Sequence, residues 1–221
     1  AAPQPGPVAG LAWRARRNET PTKGRDSAIT TLVIVDVQND FCPGGSMAAP
    51  RGADVAAKLK DFLNANAGSY DHVVATQDWH IDPGSHWSDD PDFKDSWPVH
   101  CPAGEPGAQL HPLVPTAPIE ARFKKGMYDA AYSGFEGRLD GEEDGALLGD
   151  WLRERGVTDI DVCGIATDFC VNATVGDALE QGFTVRVLSD LSAPIDEDGA
   201  KAKLEALAGR GATIVEDSAT L

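Results

Sequence analysis

Thr31-Leu-Val-Ile-Val35 is an unbroken apolar run, rich in β-branched residues, that ends abruptly on a carboxylate, Asp36. A strand without polar alternation has both faces buried, which marks a parallel sheet covered by helices on each side. His72-Val-Val-Ala-Thr76, Ile160-Asp-Val-Cys-Gly-Ile165, Thr184-Val-Arg-Val-Leu188 and Ala212-Thr-Ile-Val215 read as further strands of the same kind. Between them, residues 53–66, 145–155, 168–181 and 198–208 carry amphipathic helical patterns. Strands alternating with helices make βαβ units, so the expected fold class is α/β: a three-layer, doubly wound, mostly parallel sheet with helices on both faces.

At 221 residues the chain has the length of one large domain. Residues 1–28 differ from the rest, with Pro3, Pro5, Pro7, Arg14, Arg16 and Arg17 and no apolar core of a secretory signal. They are expected to form a poorly ordered extension ahead of a domain at 29–221. Residues 81–118 are rich in Pro, Gly, Asp and Trp and show no periodicity, and so long an irregular segment within a compact domain is usually functional.

The net charge of −16 argues against nucleic acid or an anionic membrane as partner. No apolar stretch approaches the roughly 20 residues that span a bilayer. Cys42, Cys101, Cys163 and Cys170 lie far apart with no Cys-x-x-Cys pair, the pattern of reduced thiols in a cytoplasmic protein.

Ligands of an open parallel sheet bind beyond the carboxyl ends of its strands. Asp36 follows the first run, Gln77-Asp78-Trp79-His80 and His86 follow the second, and Ala166-Thr167-Asp168-Phe169-Cys170 follows the run ending at Ile165. Cys170 opens a helix, where unpaired N–H groups favour an anion and should lower a thiol pKa. Position alone leaves it either a nucleophile or a small buried hydrophobe, whereas Cys163 in mid-strand reads as core. Asp36 is either a general base or a turn cap. Asp78, His80, His86 and His100 offer the ligands of a borderline divalent ion such as zinc, iron or manganese, against the alternative of solvated loop residues. His72 and His111 read as structural. Residues 119–125 alternate apolar and charged with period two, which puts Lys125 on the inward face and Lys124 in solvent.

Seven motifs together resemble the nicotinamidase/pyrazinamidase group of the isochorismatase-like cysteine hydrolases. They are Ile34-Val-Asp36-Val-Gln-Asn-Asp-Phe41, Gln77-Asp78-Trp-His80, Gly84-Ser-His86-Trp, Trp97-Pro-Val-His100-Cys, Lys125-Gly126, Tyr132-Ser-Gly-Phe135-Glu-Gly and Gly164-Ile-Ala-Thr-Asp168-Phe-Cys170. The resemblance implies a catalytic triad of Asp36, Lys125 and Cys170, and one divalent metal per chain on Asp78, His80, His86 and His100. It also implies an oxyanion hole from the N–H groups of Ala166 and Cys170, beside a cis peptide between Ile165 and Ala166. Phe41, Trp97 and Tyr132 would wall the pyridine ring, which the metal would hold through its nitrogen. The implied reaction, a step of NAD salvage, hydrolyses nicotinamide, and pyrazinamide, to the carboxylic acid and ammonia through a thioester on Cys170. The alternative is another amidase or hydrolase of the same superfamily, and the chain is expected as a monomer or homo-oligomer. Phe169 departs from the family, several members of which carry histidine there.

Overall fold

The computed structural model describes residues 27–221, so the expected extension lies, but for Ser27 and Ala28, outside the described residues. Seven strands form one sheet: β1 (Thr30–Val35), β2 (His72–Asp78), β3 (Ala121–Lys125), β4 (Arg138–Leu139), β5 (Asp159–Ile165), β6 (Thr184–Ala193) and β7 (Thr213–Val215). Their order is β4-β3-β2-β1-β5-β6-β7, with only β4 antiparallel to its neighbour. This is the doubly wound α/β sheet that the apolar runs predict. Four helices cover it: α1 (Gly52–Asn66), α2 (Leu148–Glu154), α3 (Asn172–Glu180) and α4 (Glu197–Gly209). Among the described residues, no helix is long and apolar enough to cross a membrane.

The period-two alternation of β1 sorts the core into two halves. Leu32 and Ile34 pack with Val55, Leu59 and Phe62 of α1, while Val33 and Val35 pack with Leu148, Trp151 and Leu152 of α2, Val175 of α3 and Leu207 of α4. Fully burying one such side chain contributes roughly 1.5–3 kcal/mol, so the two apolar stripes dominate the stability of the fold. At the start of α4, the Asp196 carboxylate caps the helix by accepting from the Gly199 amide at 2.8 Å.

The structure differs from the sequence reading at three edges. β6 runs on to Ala193 past a register shift against β5, a bulge that periodicity does not reveal. The helix expected from residue 145 begins at Leu148, because Ala146 and Leu147 are engaged with β4 instead. The single helix expected at 168–181 is a π-helical turn, Thr167–Val171, running into α3.

β1 is central, with β2 and β3 laid down on one side of it and β5, β6 and β7 on the other. The loops leaving β1 and β5 therefore diverge, and a crevice opens between their carboxyl ends. At that point Gly164 of β5 has φ +126°, and a Cβ there would lie 2.0 Å from the Val35 carbonyl oxygen, so only glycine lets β5 pass β1 so closely.

Candidate active site

Asp36 is the first residue past β1 and takes a left-handed φ of 48°. Its amide still bonds the Thr76 carbonyl at 3.2 Å, after which the chain turns away from the sheet. The turn leaves the carboxylate wholly buried, where Thr76 Oγ1 donates to Oδ1 at 2.7 Å. Lys125 closes β3, whose alternating burial puts Ala121, Phe123 and Lys125 on the inner face, as the period-two pattern predicts. Lys124 is not simply solvated: it is half-buried, with its ammonium 3.8 Å from the centre of the Trp79 ring.

The Lys125 ammonium, 1% exposed as a residue, is the hub of the crevice. It meets Asp36 Oδ2 at 2.9 Å, donates to the Ala131 carbonyl at 3.0 Å and to Cys170 Sγ at 3.7 Å, and pairs with Asp78 Oδ1. Burial works against the charged amine, but Asp36 and Asp78 outweigh it and hold its pKa well above the usual lysine value. For Asp78, burial is likewise outweighed by Lys125 and the neighbouring histidines, and its carboxyl stays well below the ordinary range. Burial raises Asp36, and Lys125 only partly offsets this.

Cys170 lies in the π-helical turn, its sulfur and one carboxylate oxygen each of Asp36 and Asp78 lying within 4.8 Å of one another. Its pKa is raised, contrary to the expectation drawn from a helix start. Burial is the main cause, Lys125 opposes it, and Asp36 and Asp78 add to it. Cys170 therefore rests as a thiol beside a carboxylate able to take its proton. Cys163 is buried in β5, and all four cysteines are free. The peptide between Ile165 and Ala166 is cis. The amides of Phe169 and Val171 both donate to the Ala166 carbonyl.

A second group lies alongside. His80, His86 and His100 are buried, and one ring nitrogen of each falls within 4.8 Å of the others. Asp78 Oδ2 is 3.5 Å from His80 Nε2 and 3.7 Å from His100 Nε2. Each Nδ1 faces a backbone carbonyl: His80 that of Gly126 at 2.5 Å, His86 that of Asp95 at 3.3 Å, and His100 that of Pro98 at 2.7 Å. Those carbonyls make each Nδ1 the donor and leave each Nε2 a bare acceptor. Two such acceptors, of His80 and His100, then face each other at 3.2 Å, an arrangement that a shared cation relieves. Burial lowers the His100 pKa to about 4 and lowers that of His86 too, so both stay neutral and free to ligate. The donor set suits a borderline divalent ion. Gly126, at φ +71°, leaves room for the His80 ring: a Cβ there would come within 2.7 Å of His80 Cε1.

One pocket joins the two groups. Phe41, Trp97 and Tyr132 line it together with Asp78, His86, His100, Ala166 and Cys170. Trp97 Nε1 donates to the Tyr132 hydroxyl at 3.1 Å, and that hydroxyl donates to the Lys94 carbonyl at 3.0 Å. Met47, Ala131, Phe169 and Ile195 also line the pocket and were missed from sequence. Phe169 meets Trp97 edge-on at 5.0 Å and lies nearly parallel to Tyr132 at 6.3 Å, making it a fourth aromatic wall. Its place beside Cys170 was the available signal, whereas Ile195 carries none. His72 pairs with Glu120, and His111 Nδ1 accepts from the Leu113 amide, both in contacts away from this pocket.

The family model described as Isochorismatase domain matches residues 30–218. A nicotinamidase/pyrazinamidase of Mycobacterium tuberculosis is 55% identical over 174 residues, covering 79% of this chain and 91% of that protein. A nicotinamidase of Escherichia coli is 37% identical, covering 83% and 92%. Among solved structures, a pyrazinamidase of Pyrococcus horikoshii in complex with zinc aligns with a TM-score of 0.71 at 34% identity, covering 86% of this chain and 99% of that one. A protein of L. infantum in complex with nicotinate aligns with a TM-score of 0.73 at 34% identity, covering 87% and 94%. Domain match, identity and fold agree, and the chain belongs to the isochorismatase family.

Proposed function

We propose that the chain is a metal-dependent amidase that hydrolyses nicotinamide, and pyrazinamide, to the carboxylic acid and ammonia through a thioester on Cys170. The observation that carries this reading is the Lys125 ammonium in simultaneous contact with Asp36, Asp78 and Cys170. The activities named for the relatives and the zinc and nicotinate of two solved neighbours support it.

Asp78, His80, His86 and His100 would hold one divalent ion, zinc being the first to test. When bound, such an ion supplies a positive coordination position beside the pocket that a pyridine nitrogen can occupy. The aromatic walls clasp the flat ring and exclude water from the amide carbon. Asp36 takes the Cys170 proton as the sulfur attacks that carbon, and Lys125 steadies both negative charges. The amide oxygen gains charge and accepts from the Ala166 and Cys170 amides, each such donor being worth about 3–4 kcal/mol. The C–N bond then breaks, and the nitrogen leaves as ammonia with the proton held on Asp36. Water attacks the thioester carbon, giving its proton to Asp36. The acid departs as the C–S bond breaks, and the thiol is restored.

The test is ammonia release from nicotinamide and pyrazinamide by zinc-loaded protein, before and after chelation and after thiol alkylation. Both treatments should stop turnover, and zinc should restore only the chelated sample. Full activity in either treated sample overturns the reading.

A further inference from the structure

β1 and β2 pair in register only as far as Val35 and Thr76. Beyond that point β1 turns off at Asp36, while β2 continues two residues to Asp78. The backbone of Asp78 thereby loses its partner on the β1 side at the place where its carboxylate must be aimed. The side chain of Gln38 fills this gap. Its Oε1 accepts from the Asp78 amide at 2.9 Å, and its Nε2 donates to the Asp78 carbonyl at 2.8 Å. The same Nε2 donates to the Ala108 carbonyl at 2.8 Å, anchoring the carboxamide to the long irregular segment. Gln38 is wholly buried, so water does not compete for any of the three bonds.

We propose that Gln38 is a positioning residue that acts through Asp78, its carboxamide standing in for the strand residue that β1 no longer provides. Gripped at both its N–H and its C=O, Asp78 divides its carboxylate between the two halves of the site. Oδ1 goes to Lys125, and Oδ2 goes toward His80 and His100. A small rotation of this peptide would take one oxygen off the ammonium and the other off the histidines together. The inference rests on the reading of Asp78 and the three histidines as metal ligands.

Gln38→Glu is close in shape and keeps the acceptor for the Asp78 amide. It turns a carboxylate oxygen toward the Asp78 and Ala108 carbonyls, where a donor is needed. The probe is cobalt(II), followed by its d–d absorption during titration of the metal-free protein, with thermal unfolding of the metal-free variant as the check on folding. The variant should bind cobalt at least tenfold more weakly, the range usual for loss of a group that orients a metal ligand, and with an altered d–d spectrum. A folded Gln38→Glu with parental cobalt affinity and spectrum overturns the inference. If Gln38→Glu does not fold, Gln38→Asn, uncharged and one methylene too short to reach Asp78, is read in the same way. His100→Ala separates the two levels of the argument. If it also binds cobalt like the parent, the ligand reading fails and the inference with it. If it loses cobalt while the Gln38 variant keeps parental binding, the inference alone fails.

Discussion

Replacing Lys125 by methionine keeps most of the side-chain volume and removes the charge around which the crevice is built. At the effective dielectric of about 20 that suits buried sites, a pair 2.9 Å apart, the Lys125–Asp36 distance, attracts by about 6 kcal/mol. Much of this offsets the desolvation of the two charges, and breaking such a pair costs about 3–5 kcal/mol net. Asp36 and Asp78, with one oxygen of each within 4.8 Å of the other, then repel by at least about 3.5 kcal/mol. Burial already raises Asp36, so with the ammonium gone the pair holds one proton more tightly still. A proton held on Asp36 removes the base, and kcat should fall by about 10²–10⁴-fold. The pH dependence of stability has a definite sign. A carboxyl whose folded pKa is raised binds its proton more tightly folded than unfolded, so the stability it contributes is present at low pH and is lost as pH rises. The melting penalty of Lys125→Met, measured on metal-free protein by circular dichroism, should reach on the order of 10 °C at pH 8 and shrink toward pH 5. A penalty equal at both pH values, or ammonia release near the parental rate, would refute the reasoning. Lys124→Met, which loses only a half-buried cation–π contact, should keep the parental kcat.

Cys170→Ala should abolish ammonia release while retaining fold and zinc content, whereas Cys163→Ala should cost about 1 kcal/mol of stability and little turnover; comparable activity losses in both, at matched stability, would remove Cys170 from its role. Phe169→Ala removes an aromatic wall that touches Trp97 and Tyr132, so KM for nicotinamide should rise about 2- to 10-fold with kcat less affected; an unchanged KM would mean that the ring does not reach Phe169. Asp92 Oδ1 accepts from the amides of Lys94, Asp95 and Ser96, and the carbonyls of Lys94 and Asp95 hold Tyr132 and His86. Asp92→Ala should therefore raise KM and weaken zinc binding together, and steady-state kinetics with a zinc titration would expose a failure of either.

The sheet was legible because its strands are buried on both faces, so their apolar runs need no tertiary information to be recognised. The inward face of Lys125 was legible for a related reason: one strand end set its side by counting from Ile119. Edges were less so. The two-residue β4 and the second half of β6 depend on pairing with neighbours, and a bulge has no period. Helical periodicity also cannot separate a π turn from an α-helix when both bury the same side of the chain. The raised thiol pKa was missed because a helix start was weighed without the carboxylates that folding brings to it. Gln38, Thr76 and Ala131 escaped because what they contribute is a hydrogen bond to a site residue 40, 40 and 6 positions away. The candidate site residues announced themselves by type and by strand-end position, and the residues that hydrogen-bond to them did not.

The claim at the centre is a common acyl-enzyme on Cys170, and partitioning tests it most directly. Zinc-loaded protein is given nicotinamide in one series and methyl nicotinate in another, each with increasing hydroxylamine, and the ratio of nicotinohydroxamate to nicotinate is measured. If both substrates pass through one thioester, the ratio at a given hydroxylamine concentration is the same for amide and ester, because the leaving group has gone before the choice is made. Two different ratios, or ammonia release with nicotinate alone at every hydroxylamine concentration, would contradict the thioester.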